Sequence, residues 1–168
     1  MVEKTKNKIV QAVLKECQNL KEKEDLTEEL GLVKNIKDKK ERLIKSVALA
    51  REASRRAINI EPYPVQVLAA VKMYQGRIIE MKTGEGKTFV SPMTAFAKVL
   101  DGQRVHVLTV NDYLVERDYN LLLPVYEMLG LSVGCITIDT PIEDKKKAYD
   151  CDVCYITNSE VGFDYLRD

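Results

Sequence analysis

The sequence is poor in what membrane-spanning, secreted and metal-binding proteins need. It has no apolar run approaching the about 20 residues that cross a bilayer. The stretch from Met1 to Lys8 lacks the apolar core of a signal peptide. Both absences predict a protein that begins and stays in the cytoplasm. Cys17, Cys135, Cys151 and Cys154 form no disulfide framework and read as plain thiols of a reducing compartment. The pair Cys151 and Cys154 has no second pair to complete a zinc site, and the chain has a single histidine, His106. On the strand expected there, positions three apart point to opposite faces, which also favours a structural reading. His106 sits in an apolar strand and reads as a core residue. Asp-Glu dipeptides, internal repeats and low-complexity tracts are absent.

What is present is ordinary for a globular protein: 45% hydrophobic and 31% charged residues. The formal net charge is zero, but it sums two unlike parts. Residues 1–60 hold 15 Lys/Arg against 10 Asp/Glu, and residues 61–168 hold 11 against 16. A basic front favours either an anionic surface or a plainly solvated helix face.

That front reads as helices. Ile9, Val10, Val13, Leu14, Cys17 and Leu20 make one stripe at helical spacing within residues 3–24. Asp25 or Thr27 can cap a short helix that Gly31 would end. A second stripe, with Leu43, Ile44, Val47, Ala48, Ala50 and Ala57, runs from about Asp38 to Ile58. Glu61-Pro62-Tyr63-Pro64 breaks the pattern, and Pro64 suits the first turn of a helix through Tyr74. Beyond Gly76 short apolar runs alternate with helical stretches. Strands are expected at 77–80, 104–110, 131–138 and 152–157. Helices are expected at 88–100, 112–129 with a break near Pro124, 142–149 and 159–166. Such alternation implies parallel βαβ units in a three-layer α/β domain. The expected division is a helical segment over 1–60 and a nucleotide-binding unit over 61–168.

The central motif is Met81-Lys-Thr-Gly-Glu-Gly-Lys-Thr88. It follows an expected strand and opens an expected helix, the context a phosphate loop requires. Gly84 and Gly86 permit a tight turn whose N–H groups point inward, with Thr83 and Glu85 completing the cradle. The helix N-terminus adds a favourable dipole. Lys87 would reach the β- and γ-phosphates of ATP or ADP, and Thr88 would offer its hydroxyl to Mg²⁺. Met81 replaces the glycine with which the common pattern begins.

Several segments resemble the SecA family of preprotein-translocase ATPases. Glu80–Thr88 is similar to the SecA form of the phosphate loop. Thr109-Val-Asn-Asp-Tyr-Leu-Val-Glu-Arg-Asp118, Gly130–Gly134 and Thr157–Asp168 resemble later motifs in the family order, and Arg51–Arg56 resembles the helix before the nucleotide site. The resemblance covers roughly residues 43–168 and implies the N-terminal part of a first nucleotide-binding domain, a partial RecA-like parallel sheet related to superfamily 2 helicases. It further implies a motor ATPase, peripheral to the inner face of the cell membrane, that drives unfolded preproteins through the SecYEG channel. Gln66 matches the family glutamine that reads adenine, for which an amide carries both a donor and an acceptor. Glu61 and Pro64 depart from the family's usual arginine and aspartate.

The family's acidic strand end, Asp-Glu-Val-Asp, has no counterpart here; neither has the second motor domain with its arginine finger. Asp139, after an expected strand, is the first suspect for a substitute acid, against a plain loop role. The chain alone is therefore expected to be inactive, a partner for the rest of a SecA-like chain, and open to self-association through an unpaired strand edge. Asp112, Arg117 and Asp118, just past a strand's carboxyl end, are expected either to link the site to a moving domain or only to cap and pair. Two alternatives remain: a non-hydrolysing nucleotide-binding module, or a nucleic-acid helicase fragment. The latter is disfavoured because residues 61–168 are net acidic where a helicase needs a basic track.

Overall fold

A computed structural model describes residues 7–167. Helices α1 (Lys8–Lys21), α2 (Thr27–Val33), α3 (Lys39–Ile58) and α4 (Pro64–Tyr74) come first. The phosphate-loop segment then leads through a single 3₁₀ turn (Lys87–Val90) into α5 (Ser91–Leu100). Strand β1 (Val105–Thr109), α6 (Asp112–Met128), β2 (Val133–Ile136), α7 (Ile142–Tyr149), β3 (Val153–Thr157) and α8 (Asn158–Arg167) complete the chain. The sheet is parallel in the order β1-β3-β2, with Val105 opposite Val153 and Val133 opposite Val153 in the two ladders. Every residue of β3 is buried, as a central strand covered on both faces requires.

The stripe of α1 is borne out: Val10, Val13, Cys17 and Leu20 are buried, and Asn7 caps the helix by accepting from the N–H groups of Ile9 and Val10. They pack on α3, whose small Ala48, Ala50, Ala53, Ser46 and Ser54 let neighbouring helices approach closely. One apolar cluster takes residues from α1, α3, α4, α5, α6 and β3 together. The carbonyls that end α1 are met by a side chain from α3. Arg56 donates to Leu20 O, Lys23 O and Glu24 O at 2.8–2.9 Å. Arg56 is itself held by the buried Glu52, which also takes both donors of Arg55.

The structure departs from the sequence reading at five places. The short helix α2 runs past Gly31 to Val33, started by Asp25, which accepts the Thr27 N–H at 2.7 Å. Helix α6 continues through Pro124 without a break. Pro124 lies on the exposed face, so the Asn120 carbonyl it frees of a partner can bond water. His106 is exposed on edge strand β1, where its ring lies 5.5 Å from that of Tyr149; it is not a core residue. The α-helix after the phosphate loop starts at Ser91, three residues later than the spacing suggests. Most consequential, residues 77–80 pair with no strand. Ile79 and Met81 line a cleft of about 340 Å³ together with Val107 and Leu108 of β1 and form no ladder with them. Ile78 is left fully exposed, and the outer edge of β1 has no partner among the described residues.

Candidate functional site

The phosphate-loop residues lie between α4 and α5, beside β1. Gly84 and Gly86 both adopt positive φ, 85° and 70°, so the loop does need glycine there. Gly86 has a second constraint: a Cβ there would run into Nε2 of Gln66. Gln66 is buried, and both donors of its amide nitrogen are engaged. Oε1 accepts the Tyr63 N–H at 2.6 Å, closing the start of α4, while Nε2 donates to the carbonyls of Glu85 at 2.9 Å and Gly86 at 3.0 Å. Pro64 at the first turn of α4 costs no hydrogen bond and sets the angle at which Gln66 enters. Glu85 closes the loop on the other side, its carboxylate accepting the Lys82 N–H at 2.9 Å.

Thr83, Gly84 and Lys87 are exposed, and among the described residues no side chain pairs with the Lys87 ammonium. An unpaired ammonium at the entry of a helix, beside open N–H groups, is a place for an anion. Thr88 follows, half-buried. Its hydroxyl faces Oδ2 of Asp118 at 3.5 Å, and its carbonyl accepts from Ser91 Oγ at 2.8 Å. Ser91 leads inward to a buried pair of phenols: Tyr155 of β3 lies 3.1 Å from Ser91 Oγ, and Tyr126 of α6 lies 3.0 Å from Tyr155. Burial pushes the Tyr126 phenol up to about 12, so this chain of hydroxyls stays neutral.

Two clefts flank the loop. One, of about 460 Å³, is bounded by Glu61, Tyr63, Gln66, Gly86 and Phe89. Glu61 is not loose in it: Arg51 and Lys21 each hold its carboxylate at 2.9 Å, and Arg51 also donates to Pro62 O. The other cleft holds Lys87, Thr88, Ser91, Thr109 and Asp118 above an apolar floor. Gln66 thus stands at the first cleft, Lys87 and Thr88 at the second, with residues 84–86 between them.

Asp139 lies in an exposed turn after β2, on the sheet edge opposite β1 and therefore away from Thr88. The acid that the fold brings to Thr88 is Asp118, which sequence reading left undecided. The usable signal was its position on the second turn of a helix following a parallel strand. Its neighbour Arg117 pairs with Oδ1 at 2.7 and 2.9 Å, whereas Asp112 makes no contact with either. Oδ1 of Asp112 is a buried oxygen without a partner. Burial pushes the thiols of Cys17, Cys135 and Cys154 up, Cys135 to about 11 and Cys154 to about 12, which disfavours the reactive thiolate at these three.

Helices packed on a parallel three-stranded sheet, with a glycine-turned loop at the entry of α5, define a partial RecA-like α/β domain. The family described as the SecA DEAD-like domain matches residues 2–168, and the chain belongs to it. It is 51% identical over 126 residues to the protein translocase subunit SecA of Treponema pallidum (strain Nichols), covering 75% of this chain and 14% of that protein. Likeness to the SecA subunit of Clostridium botulinum (strain Loch Maree / Type A3) is 52% over 126 residues, 75% of this chain and 15% of the relative. The SecA subunit of Ehrlichia ruminantium (strain Welgevonden) is 49% identical over 126 residues, with 75% and 14% covered. The chain therefore spans about one seventh of the length of the curated relatives it matches.

Proposed function

We propose that this chain is the adenine-nucleotide-binding part of a SecA-type motor for preprotein export. The observation that carries the reading is the unpaired Lys87 ammonium beside Thr88, held at the entry of α5 by a loop whose two glycines take positive φ. In this reading Thr83, Gly84, Glu85, Gly86 and Lys87 surround the phosphates, and Gln66 contacts the base. Thr88 holds Mg²⁺; its hydroxyl oxygen and the nearby Asp118 carboxylate are hard oxygen donors that suit this ion. Bound Mg²⁺ supplies charge that offsets the phosphates, and the chain's own part is to bind and orient.

The rest of a SecA-like chain would supply the acidic strand end and the arginine finger, the latter worth on the order of 10³-fold or more in rate. The open edge of β1 supports such an addition and, without it, self-association. The SecYEG channel and unfolded preproteins are the partners this reading implies. The net positive helices within 1–60 suit a peripheral contact with an anionic membrane face, consistent with a division of function at about residue 60. Among the described residues no helix is long and apolar enough to cross a membrane. A non-hydrolysing nucleotide-binding module is the second reading.

Calorimetry with Mg²⁺-ADP tests the proposal, with Lys87→Ala as the comparison. Binding by the wild-type chain that the variant abolishes is expected; equal affinity sinks the assignment. Phosphate release from ATP by the chain alone is expected to stay at the level of the Lys87→Ala protein.

A further inference from the structure

The Thr88 hydroxyl has one proton and two lone pairs, and a metal ligand must turn a lone pair to the ion. The proton then needs an acceptor on another side. Asp118 is the acceptor within reach, its Oδ2 3.5 Å from Thr88 Oγ1. The Asp118 side chain is only 13% exposed, at the cleft that Lys87 and Thr88 share. Buried carboxylates are expected to be fully paired. Here Oδ1 is satisfied twice over by Arg117 at 2.7 and 2.9 Å. Oδ2 has only the long hydroxyl contact, against about 2.5–2.7 Å for a tight O–H···O⁻ bond. Its acceptor capacity is therefore largely unused and is aimed at Thr88.

From this geometry we infer that Asp118 is a positioning residue for the Mg²⁺-nucleotide complex, an inference that rests on the nucleotide-binding reading above. Its Oδ2 accepts the Thr88 proton, orients the hydroxyl oxygen toward the ion, and offers its remaining lone pair to the ion's water shell. Mg²⁺ retains several waters and takes few protein ligands, so a carboxylate acting through water suits it. Arg117 offsets the carboxylate's charge and fixes its rotamer. The same residue answers which acid stands in this chain near the phosphates: it comes from α6 beside β1, not from the Asp139 turn beyond β2.

The test is calorimetry of ADP with Mg²⁺ and again with EDTA, on wild type, Asp118→Asn, Thr88→Ala and the double variant. Outer-shell partners of a metal typically carry 10- to 100-fold in affinity. Asp118→Asn is expected to weaken Mg²⁺-ADP about tenfold and to leave metal-free ADP unchanged or tighter, since a negative charge is removed. The double variant is expected to be no worse than Thr88→Ala alone. Arg117→Ala keeps the carboxylate but leaves its Oδ1 without the guanidinium, so its folding is checked by thermal unfolding, and it is expected to raise the Mg²⁺ preference. Equal weakening with and without Mg²⁺, or no change in either, overturns the inference while leaving the nucleotide reading intact. Absence of ADP binding by wild type under both conditions overturns both.

Discussion

Gln66 and Gly86 are fitted to each other: the Gln66 amide nitrogen donates to the Gly86 carbonyl at 3.0 Å, in the space a Cβ on Gly86 would fill. The contact ties α4 to the phosphate loop and fixes the turn between the two clefts. It also means that the residue expected to read a base is, in this conformation, bonded to the loop expected to hold phosphates.

Gly86→Ala therefore carries two penalties, positive φ and a collision. The backbone part is about 1–2 kcal/mol. Thermal unfolding is expected to show a clear loss of stability, with loss of ADP affinity in calorimetry. In a Gln66→Ala background the collision with Nε2 is gone, leaving the backbone part and a tight approach to the Phe89 ring at 3.2 Å, so the same substitution is expected to cost less. Additive effects of the two changes would contradict the contact.

Base selectivity follows from the same amide. To meet adenine, Nε2 must release the Glu85 or the Gly86 carbonyl, whereas Oε1 can keep the Tyr63 N–H and accept a second donor. The bond lost offsets part of the bond gained, so a modest preference for adenine over guanine nucleotides is expected. Competition between ATP and GTP analogues measures it, and Gln66→Ala is expected to flatten the difference.

Helix α8 is fastened by charge more than by apolar burial, since none of its residues is buried. Lys145 of α7 holds Glu160 at 2.6 Å and Asp164 at 2.9 Å, and Tyr149 donates to Asp164 at 2.8 Å. Burial by itself would raise the Asp164 pKa, but the bonds from Lys145 and Tyr149 outweigh it and hold the carboxyl below its ordinary value. Burial lowers the Lys145 ammonium, but its bonds to Glu160 and Asp164 outweigh that and raise it. A depressed carboxyl stabilises above its unfolded pKa of about 4, and the gain is lost as pH falls through the folded value. The raised ammonium stabilises below about 10.4, with the gain lost as pH rises through its folded value. The fastening of α8 is thus expected to be strongest between about pH 4 and 10, with hydrogen exchange in α8 accelerating below pH 4 ahead of the core. Lys145→Ala is expected to cost about 2 kcal/mol of local stability and to expose α8 to exchange at neutral pH.

Glu52 anchors the front helices. Its burial would raise its pKa, yet the Arg55 and Arg56 guanidiniums hold the carboxyl below its usual range. Glu52→Ala leaves the Arg56 guanidinium without a carboxylate where it meets the last carbonyls of α1. The expected loss is about 3 kcal/mol, a fall in Tm of roughly 10 °C. Arg55→Ala, removing the more exposed partner, is expected to cost much less.

Much of the fold was legible because it rests on local periodicity. The stripe Val10, Val13, Cys17, Leu20 needs only helical spacing to find the core, and Ile142–Tyr149 forms the expected helix. Pro124 misled because a proline's effect depends on whether the freed carbonyl can reach water, which is a matter of the face it lies on. His106 misled because alternation gives the two faces of a strand but not which of them is covered. Residues 77–80 have a strand's composition, but a strand exists only with a neighbour, and here they form no ladder with β1.

The sequence by itself determined the phosphate-loop spacing from Met81 to Thr88, the need for glycine at Gly84 and Gly86, and the parallel βαβ character, all set within a few consecutive residues. Tertiary structure alone decided the strand order β1-β3-β2, the engagement of Gln66 with the loop 19 and 20 residues away, and the choice of Asp118 over Asp139 beside Thr88. The physical reason is that side-chain chemistry and short-range spacing are written in the chain. Which acid stands within hydrogen-bond reach of a given hydroxyl depends on how helices and strands from distant segments pack.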